Sequence, residues 1–195
     1  LVSDAGMPSI CDPGEDLIKE ARSNGLPVIC IPGPCAAITA LVTSGLPSSK
    51  FIFQGFLPKK PSERRERLLA ISRYENTTII FESPHRLKKL LYELKEYCGG
   101  DREIRVSREL TKRFEQHVGD NVYEVIDFFK EKEVIGEITV VIDGINKSNN
   151  NLEFDSFEIK KDLNNLIKAG LTLSAASKYL AKKNNLPKSM IYNLH

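Results

Sequence analysis

Two clusters of polar side chains near the middle of the chain have the types and spacing that acid–base chemistry needs. The first is Glu82-Ser83-Pro84-His85-Arg86, which sets a carboxylate, an imidazole and a guanidinium within five residues. Glu82 or His85 could take a proton from a weak nucleophile, and Arg86 could hold a phosphate. The second is Glu109, Lys112 and Glu115, where an ammonium stands between two carboxylates and could polarise an oxygen. Each has a plainer reading. Ser83-Pro84 is an ordinary helix start, and Glu82 with Arg86, four residues apart, can be a fixed ion pair. A third group, Lys59, Lys60, Arg64, Arg65 and Arg67, suits a phosphate backbone, with a solvated helix face as the alternative.

The elements that must position these groups read as an α/β protein. The first 37 residues form two strand-to-helix turns, Leu1-Val2-Ser3-Asp4-Ala5-Gly6-Met7-Pro8 with Asp12-Pro13-Gly14, and Val28-Ile29-Cys30-Ile31-Pro32-Gly33-Pro34-Cys35. Asp4, at the end of the first strand, either reaches a ligand hydroxyl or cation, or only caps its turn. Asp12 reads as a helix N-cap with Pro13 in the first helical position, and that helix stops at Gly25. A buried strand is predicted over residues 26–31 and a helix over 35–44, closed by Gly45.

Residues 46–56 change texture towards Pro, Ser and aromatic side chains, and a domain boundary is placed there. A strongly charged helix follows, running to Arg73. Strands are predicted at 77–82, 103–107, near 114–118 and at 137–143, with helices at 85–97 and 122–132. Polar residues 146–151 read as a linker. Three short amphipathic helices, 159–169, 174–183 and 188–194, are broken at Gly170 and Pro187. They can be a helix-turn-helix reader or a packing appendage; Lys178, Lys182 and Lys183 suit phosphate better than base edges. The organisation expected is therefore an N-terminal α/β domain (1–50), a second α/β domain with a mixed sheet (51–145) and a helical tail (152–195).

Composition sets the outer bounds. With 195 residues, 41% hydrophobic and 28% charged, the chain has the make-up of an ordinary globular protein. No apolar run is long enough to span a bilayer, so no membrane role is expected. Four cysteines without a CxxC pair, and only three histidines, argue against a metal site and for reduced thiols in a cytoplasmic protein. Net charge is +2, but residues 56–118 carry 15 Lys/Arg against 10 Asp/Glu, leaving −3 elsewhere. A basic middle domain suits a polyanionic substrate.

Ser3-Asp4-Ala5-Gly6-Met7-Pro8, Ile31-Pro32-Gly33-Pro34-Cys35-Ala36 and Gly55-Phe56-Leu57-Pro58-Lys59-Lys60 open a series of separated motifs. Phe81-Glu82-Ser83-Pro84-His85-Arg86, Arg108-Glu109-Leu110-Thr111-Lys112 and Gly136-Glu137-Ile138-Thr139-Val140-Val141 complete it. In this order they resemble the tetrapyrrole methylase superfamily, and within it the branch that methylates small-subunit ribosomal RNA. Met7 stands where that family usually has Thr, and Cys35 where it has Ser.

The resemblance implies a tetrapyrrole-methylase-like fold with S-adenosylmethionine between two α/β domains. It also implies an upstream segment with the first strand and a Gly/Pro-rich loop, so that the first domain reads as N-terminally truncated. The implied cofactor contacts are Asp4, Met7, Cys35, Ala36, Phe81, Glu82, Leu110, Glu137 and Ile138, several of them through the backbone. The implied acceptor is the ribose 2′-hydroxyl of a cytidine in the decoding region of small-subunit rRNA, with a homodimer as the working form. Glu82, His85, Arg86, Glu109 and Lys112 are then the candidates for handling the acceptor proton, and Lys59, Lys60, Arg64, Arg65 and Arg67 for holding RNA. The competing readings are methylation of a tetrapyrrole or protein side chain, and a nucleic-acid-binding module without activity.

Overall fold

The computed structural model describes residues 1–145, 156–184 and 188–194. They fall into two compact units, Leu1–Ile145 and Asn146–His195. The 146–151 linker and the Pro187 break lie outside the described residues.

The first unit is built on one five-stranded sheet. Its elements are α1 (Glu15–Ser23), α2 (Ala36–Ser44), β1 (Phe51–Phe56), α3 (Pro61–Arg73), β2 (Thr77–Glu82), α4 (Pro84–Cys98), β3 (Ile104–Arg108), β4 (Gln116–Val118), α5 (Val122–Phe129) and β5 (Ile138–Ile142). The strand order is β1-β2-β5-β3-β4. Only β1 and β2 run parallel; β5 lies antiparallel to both β2 and β3, and β4 antiparallel to β3. A mixed sheet is what the pattern of strands and helices predicts.

Alternation along the central strands divides the side chains between two faces. On one face Ile80, Val140, Val106, Ile104 and Ile142 meet Leu68 and Ile71 of α3, Leu87, Leu90, Leu91 and Leu94 of α4, and Val122, Val125 and Phe129 of α5. On the other, Ile79 and Val141 meet Ala37, Ala40 and Leu41 of α2, with Phe53, Phe81 and Leu110 at the margin. α2, assigned from sequence to the N-terminal domain, thus packs on the sheet of the second.

Four local expectations are corrected. Residues 26–31 form no strand: Ile29 and Ile31 are 83% and 81% exposed, and no described segment pairs with them. A run of β-branched residues becomes a strand only when a neighbour completes its ladder. Residues 51–56, read as a boundary, form strand β1, because β2 offers a parallel partner from Phe51↔Thr77 to Phe56↔Phe81. Asp12 does not cap α1: Gly14 occupies the N-cap position, and Asp12 accepts from Ser3 Oγ at 2.5 Å. Strand β4 starts at Gln116, so Phe114 lies in the turn before it.

An ionic network ties the helices of the larger face to the sheet. The Glu82 carboxylate is wholly buried at the end of β2. Its Oε1 accepts from Ser83 N at 2.9 Å and faces Arg86 Nε at 3.3 Å, while Oε2 faces Arg64 Nη2 at 3.3 Å. Arg64, 3% exposed on α3, also donates through Nε to Glu93 of α4 at 2.8 Å. Arg86 donates through Nη2 to Leu57 O. One carboxylate therefore joins β2, α3, α4 and the chain after β1.

The second unit packs α6 (Ser156–Lys168), α7 (Leu173–Asn184) and α8 (Lys188–Tyr192) around Leu163, Ala176, Leu180 and Ile191. Lys183 of α7 pairs with Asp162 of α6 at 3.2 Å.

Removing the Glu82 carboxylate takes one of two counter-charges from buried Arg64, leaving it with Glu93, and frees Arg86 from its ion pair. Glu82→Ala is expected to destabilise the protein by ~3–5 kcal/mol in a denaturant titration. An unchanged midpoint would show that the network contributes nothing.

Candidate functional site

The strand register carries the chemistry-bearing motifs to one end of the sheet. Glu82, ending β2, pairs with Ile138, starting β5; Ile138 also pairs with Arg108, ending β3; and Phe56, ending β1, pairs with Phe81. Four motifs widely separated in sequence thereby become neighbours. At this end β1 carries an irregularity between Phe53 and Gly55. Phe53 and Phe56 both lie edge-on to Phe81, with ring centroids 5.0 and 5.7 Å away. Gly55 is required there, since its φ is +60° and a Cβ would come within 2.9 Å of Cys11 Sγ.

Beyond β3 the chain enters a loop, residues 109–115, held by carboxylates. Glu109 N donates to Glu137 O at 2.9 Å, and Glu137 N donates back to Glu109 Oε1 at 2.8 Å. Lys112 Nζ lies 3.0 Å from Glu109 Oε1 and 3.1 Å from Glu137 Oε2. The Glu137 amide first, and Lys112 second, hold the Glu109 carboxyl below the usual carboxylate range. Hydrogen bonds donated to Glu109 and Glu137 raise the Lys112 ammonium above its ordinary value. Gly136, at φ +88°, leaves room for the Glu109 side chain, which any Cβ would meet at 2.5 Å.

Glu115 closes the loop from its other end. Its Oε2 accepts from Thr111 N at 2.6 Å, and its Oε1 lies 2.9 Å from His117 Nε2. These contacts, His117 first, lower the Glu115 carboxyl. Because a carboxylate can only accept, Nε2 carries a hydrogen, and the hydroxyl of buried Ser107 lies 3.0 Å from Nδ1.

The two N-terminal turns approach the same end. Met7 N donates to Pro34 O at 2.9 Å, joining one to the other. Cys11 hydrogen-bonds the backbone of Phe56, while burial raises its thiol. Cys35 packs in the cluster that holds Phe81 and Leu110. Among the described residues, four non-glycine side chains have positive φ: Ser9, Cys11, Glu109 and Thr111. All four lie in the two loops at this end. Such conformations persist only where surrounding contacts impose them, and they gather at functional sites.

The residues singled out from sequence take different places. Phe81, Glu82, Glu109, Leu110, Lys112, Glu137 and Ile138 are brought together at the sheet end. Cys35 joins them by packing, and Ala36 follows it, exposed at the first position of α2. Asp4 is exposed in the turn that carries Met7. His85 is exposed in the first turn of α4, without an ion pair or hydrogen bond among the described residues. Lys59, Lys60, Arg65 and Arg67 are exposed, with Lys60 paired to Glu63 at 2.9 Å. Arg64 is not on that face; it is buried against Glu82 and Glu93. Ser107, His117 and Phe114 also belong to the site's surroundings and were not singled out. Only the Ser107↔His117 pairing of β3 with β4 reveals the first two as partners.

Among the described residues no group of His, Cys, Asp and Glu could hold a metal ion, and no helix is long and apolar enough to cross a membrane.

Comparison with known proteins agrees with this arrangement. The family model for tetrapyrrole (corrin/porphyrin) methylases matches residues 1–126. The chain is 37% identical to ribosomal RNA small subunit methyltransferase I of Bacillus subtilis, covering all of this chain and 68% of the relative. It is 39% identical to the protein of the same name from Synechocystis, again over its whole length and 69% of the relative. Among solved structures, the methyltransferase CobJ superposes with a TM-score of 0.52 at 18% identity, over 71% of this chain and 62% of that one, a likeness of fold alone. The match through both N-terminal turns and the β2 and β3 ends, together with full-length identity to those relatives, has one consequence: the chain belongs to the tetrapyrrole methylase family, in the branch of the ribosomal RNA small subunit methyltransferase I proteins.

Proposed function

We propose that this protein transfers a methyl group from S-adenosylmethionine to the ribose 2′-hydroxyl of a cytidine in the decoding region of small-subunit ribosomal RNA. The observation that carries the reading is the convergence of the family motifs on one sheet end, flanked by two loops whose non-glycine residues adopt left-handed conformations. The groups gathered there fit an adenosyl sulfonium. Cys35, Phe81 and Leu110 form a partly buried apolar wall, while Asp4 and Glu137 are exposed carboxylates suited to ligand hydroxyls or cationic groups. Met7 and Ala36 complement them through the backbone, and Ile138 sets the end of β5.

When bound, the cofactor supplies an already activated methyl carbon, so the chain's own task is to align the acceptor, exclude water and accept a proton. His85, exposed and unpaired, is the proton acceptor in this reading. Glu82, fully buried, holds Arg86 in place, and Arg86 faces an RNA phosphate. Lys112, oriented by Glu109 and Glu137, polarises the acceptor oxygen. Lys59, Lys60, Arg65 and Arg67 form the exposed basic surface for the RNA backbone, and Arg64 supports that helix from beneath. The protein works in the cytoplasm as a homodimer; the open apolar side chains of Ile29, Ile31 and Val42 are surface that a second subunit would cover.

Radiolabelled S-adenosylmethionine offered to the full-length protein with small ribosomal subunits should label their RNA at a cytidine ribose. Label on a tetrapyrrole and none on RNA would overturn the proposal. His85→Gln is expected to lower kcat about 100-fold or more while leaving cofactor affinity intact. A normal kcat would remove His85 from the mechanism.

The Glu109 clamp has a defined acid limit. A carboxyl held low contributes in full above its ordinary value, and the contribution disappears as pH falls through the lowered one. Cofactor affinity, measured by calorimetry, should therefore be insensitive to pH around neutrality and weaken as pH falls below the ordinary carboxylate range. In Glu109→Gln that acid-side loss should vanish, with affinity at pH 7 already reduced about tenfold. Equal affinities at pH 7 would exclude a role for the clamp in cofactor binding.

A further inference from the structure

Phe114 carries the most exposed aromatic ring among the described residues, with 64% of its surface open. A single exposed apolar side chain is ordinary. What sets this one apart is the backbone beneath it and the charge beside it. Lys112 N donates to Glu109 O at 3.0 Å, and Glu115 N donates to Lys112 O at 3.1 Å, so Phe114 sits inside the second of two consecutive turns. Glu115, immediately after it, is anchored by Thr111 N and His117. The ring is thus presented to solvent from a fixed backbone.

Its neighbour is a cation. The Arg113 guanidinium lies 5.5 Å from the Phe114 ring centroid and makes no ion pair among the described residues. Lys112, by contrast, is committed to Glu109 and Glu137. An open aromatic face and a free guanidinium on a rigid loop are the parts with which unpaired nucleotides are held. The base stacks on the ring and the cation meets a neighbouring phosphate.

We propose that Phe114, with Arg113, is a stacking platform for an unpaired base of the RNA substrate. This rests on the reading that the substrate is RNA. The loop leaves β3 at the sheet end that carries Phe81, Leu110 and Glu137, so the platform stands on the rim of the methyl-transfer site. A nucleotide drawn out of its own stack loses its neighbours, and the ring replaces one of them.

The chain contains no tryptophan, so Phe114→Trp introduces its sole indole fluorophore at the platform. Single-stranded polycytidylate should quench that fluorescence, and duplex RNA of equal phosphate content should not. Phe114→Leu keeps apolar bulk but removes the π face. It should weaken binding of single-stranded RNA about tenfold and raise KM for small ribosomal subunits by a similar factor, with S-adenosylmethionine affinity unchanged. Equal quenching by duplex RNA, or wild-type RNA affinity in Phe114→Leu, would overturn the platform. The two readings separate cleanly. RNA binding that depends on Phe114 without methyl transfer to subunits keeps the platform and removes the proposed function. Methyl transfer indifferent to Phe114→Leu does the reverse.

Discussion

A carboxylate with no access to water must find cations, and in this protein that requirement shapes the centre of the fold. Glu82 ends β2 in the interior, and its oxygens are met by Arg64 from α3, Arg86 from α4 and the Ser83 amide. Leaving any of them out would strand a charge in a medium that solvates it poorly. The network therefore specifies how α3 and α4 lie against the sheet. It also fixes the β2–α4 turn, so that His85 and Arg86 are presented at a defined place. By sequence Glu82 and His85 are equal candidates for taking a proton; in the structure Glu82 is buried among cations that it holds in place.

The opposite rim of the site is organised by exposed charges acting on backbone. Glu109 and Glu115 each bind a main-chain N–H and a cationic or imidazole side chain, and between them they hold a loop containing two left-handed non-glycine residues. Such a loop does not rest in its lowest local conformation; tertiary contacts impose it. The N-terminal turns repeat the arrangement with Ser9 and Cys11. Two constrained loops facing the end of a rigid sheet form a preorganised rim, which suits a reaction whose catalysis is chiefly alignment.

Charge on this unit is also sorted by depth. Of the five basic residues in the segment 59–67, Arg64 points inward and is neutralised, whereas Lys59, Lys60, Arg65 and Arg67 remain in solvent. A basic stretch thus divides between a buried counter-charge and an exposed positive surface, the part that the proposed function assigns to a polyanion. The sheet faces are equally distinct: one is closed by three helices, the other by α2 and an aromatic cluster that continues into the site.

Local pattern and motif order determined a good deal. Helices α2, α4 and α7 and strands β2, β3 and β5 are legible because each combines apolar periodicity with recognisable end signals, such as Ser83-Pro84 before α4 and Gly45 after α2. Motif order likewise marked Phe81, Glu82, Arg108 and Ile138, which the strand register carries to one sheet end. What sequence did not determine depends on partners distant in the chain. Residues 51–56 became a strand because β2 was there to pair with them, and residues 26–31 did not because nothing described pairs with them. Whether Arg64 faces water or Glu82, and whether His117 meets Ser107 and Glu115, follows from helix docking and strand register. Side-chain chemistry is written residue by residue, but burial and hydrogen-bond partnership are properties of pairs, and only the folded sheet brings those pairs within reach.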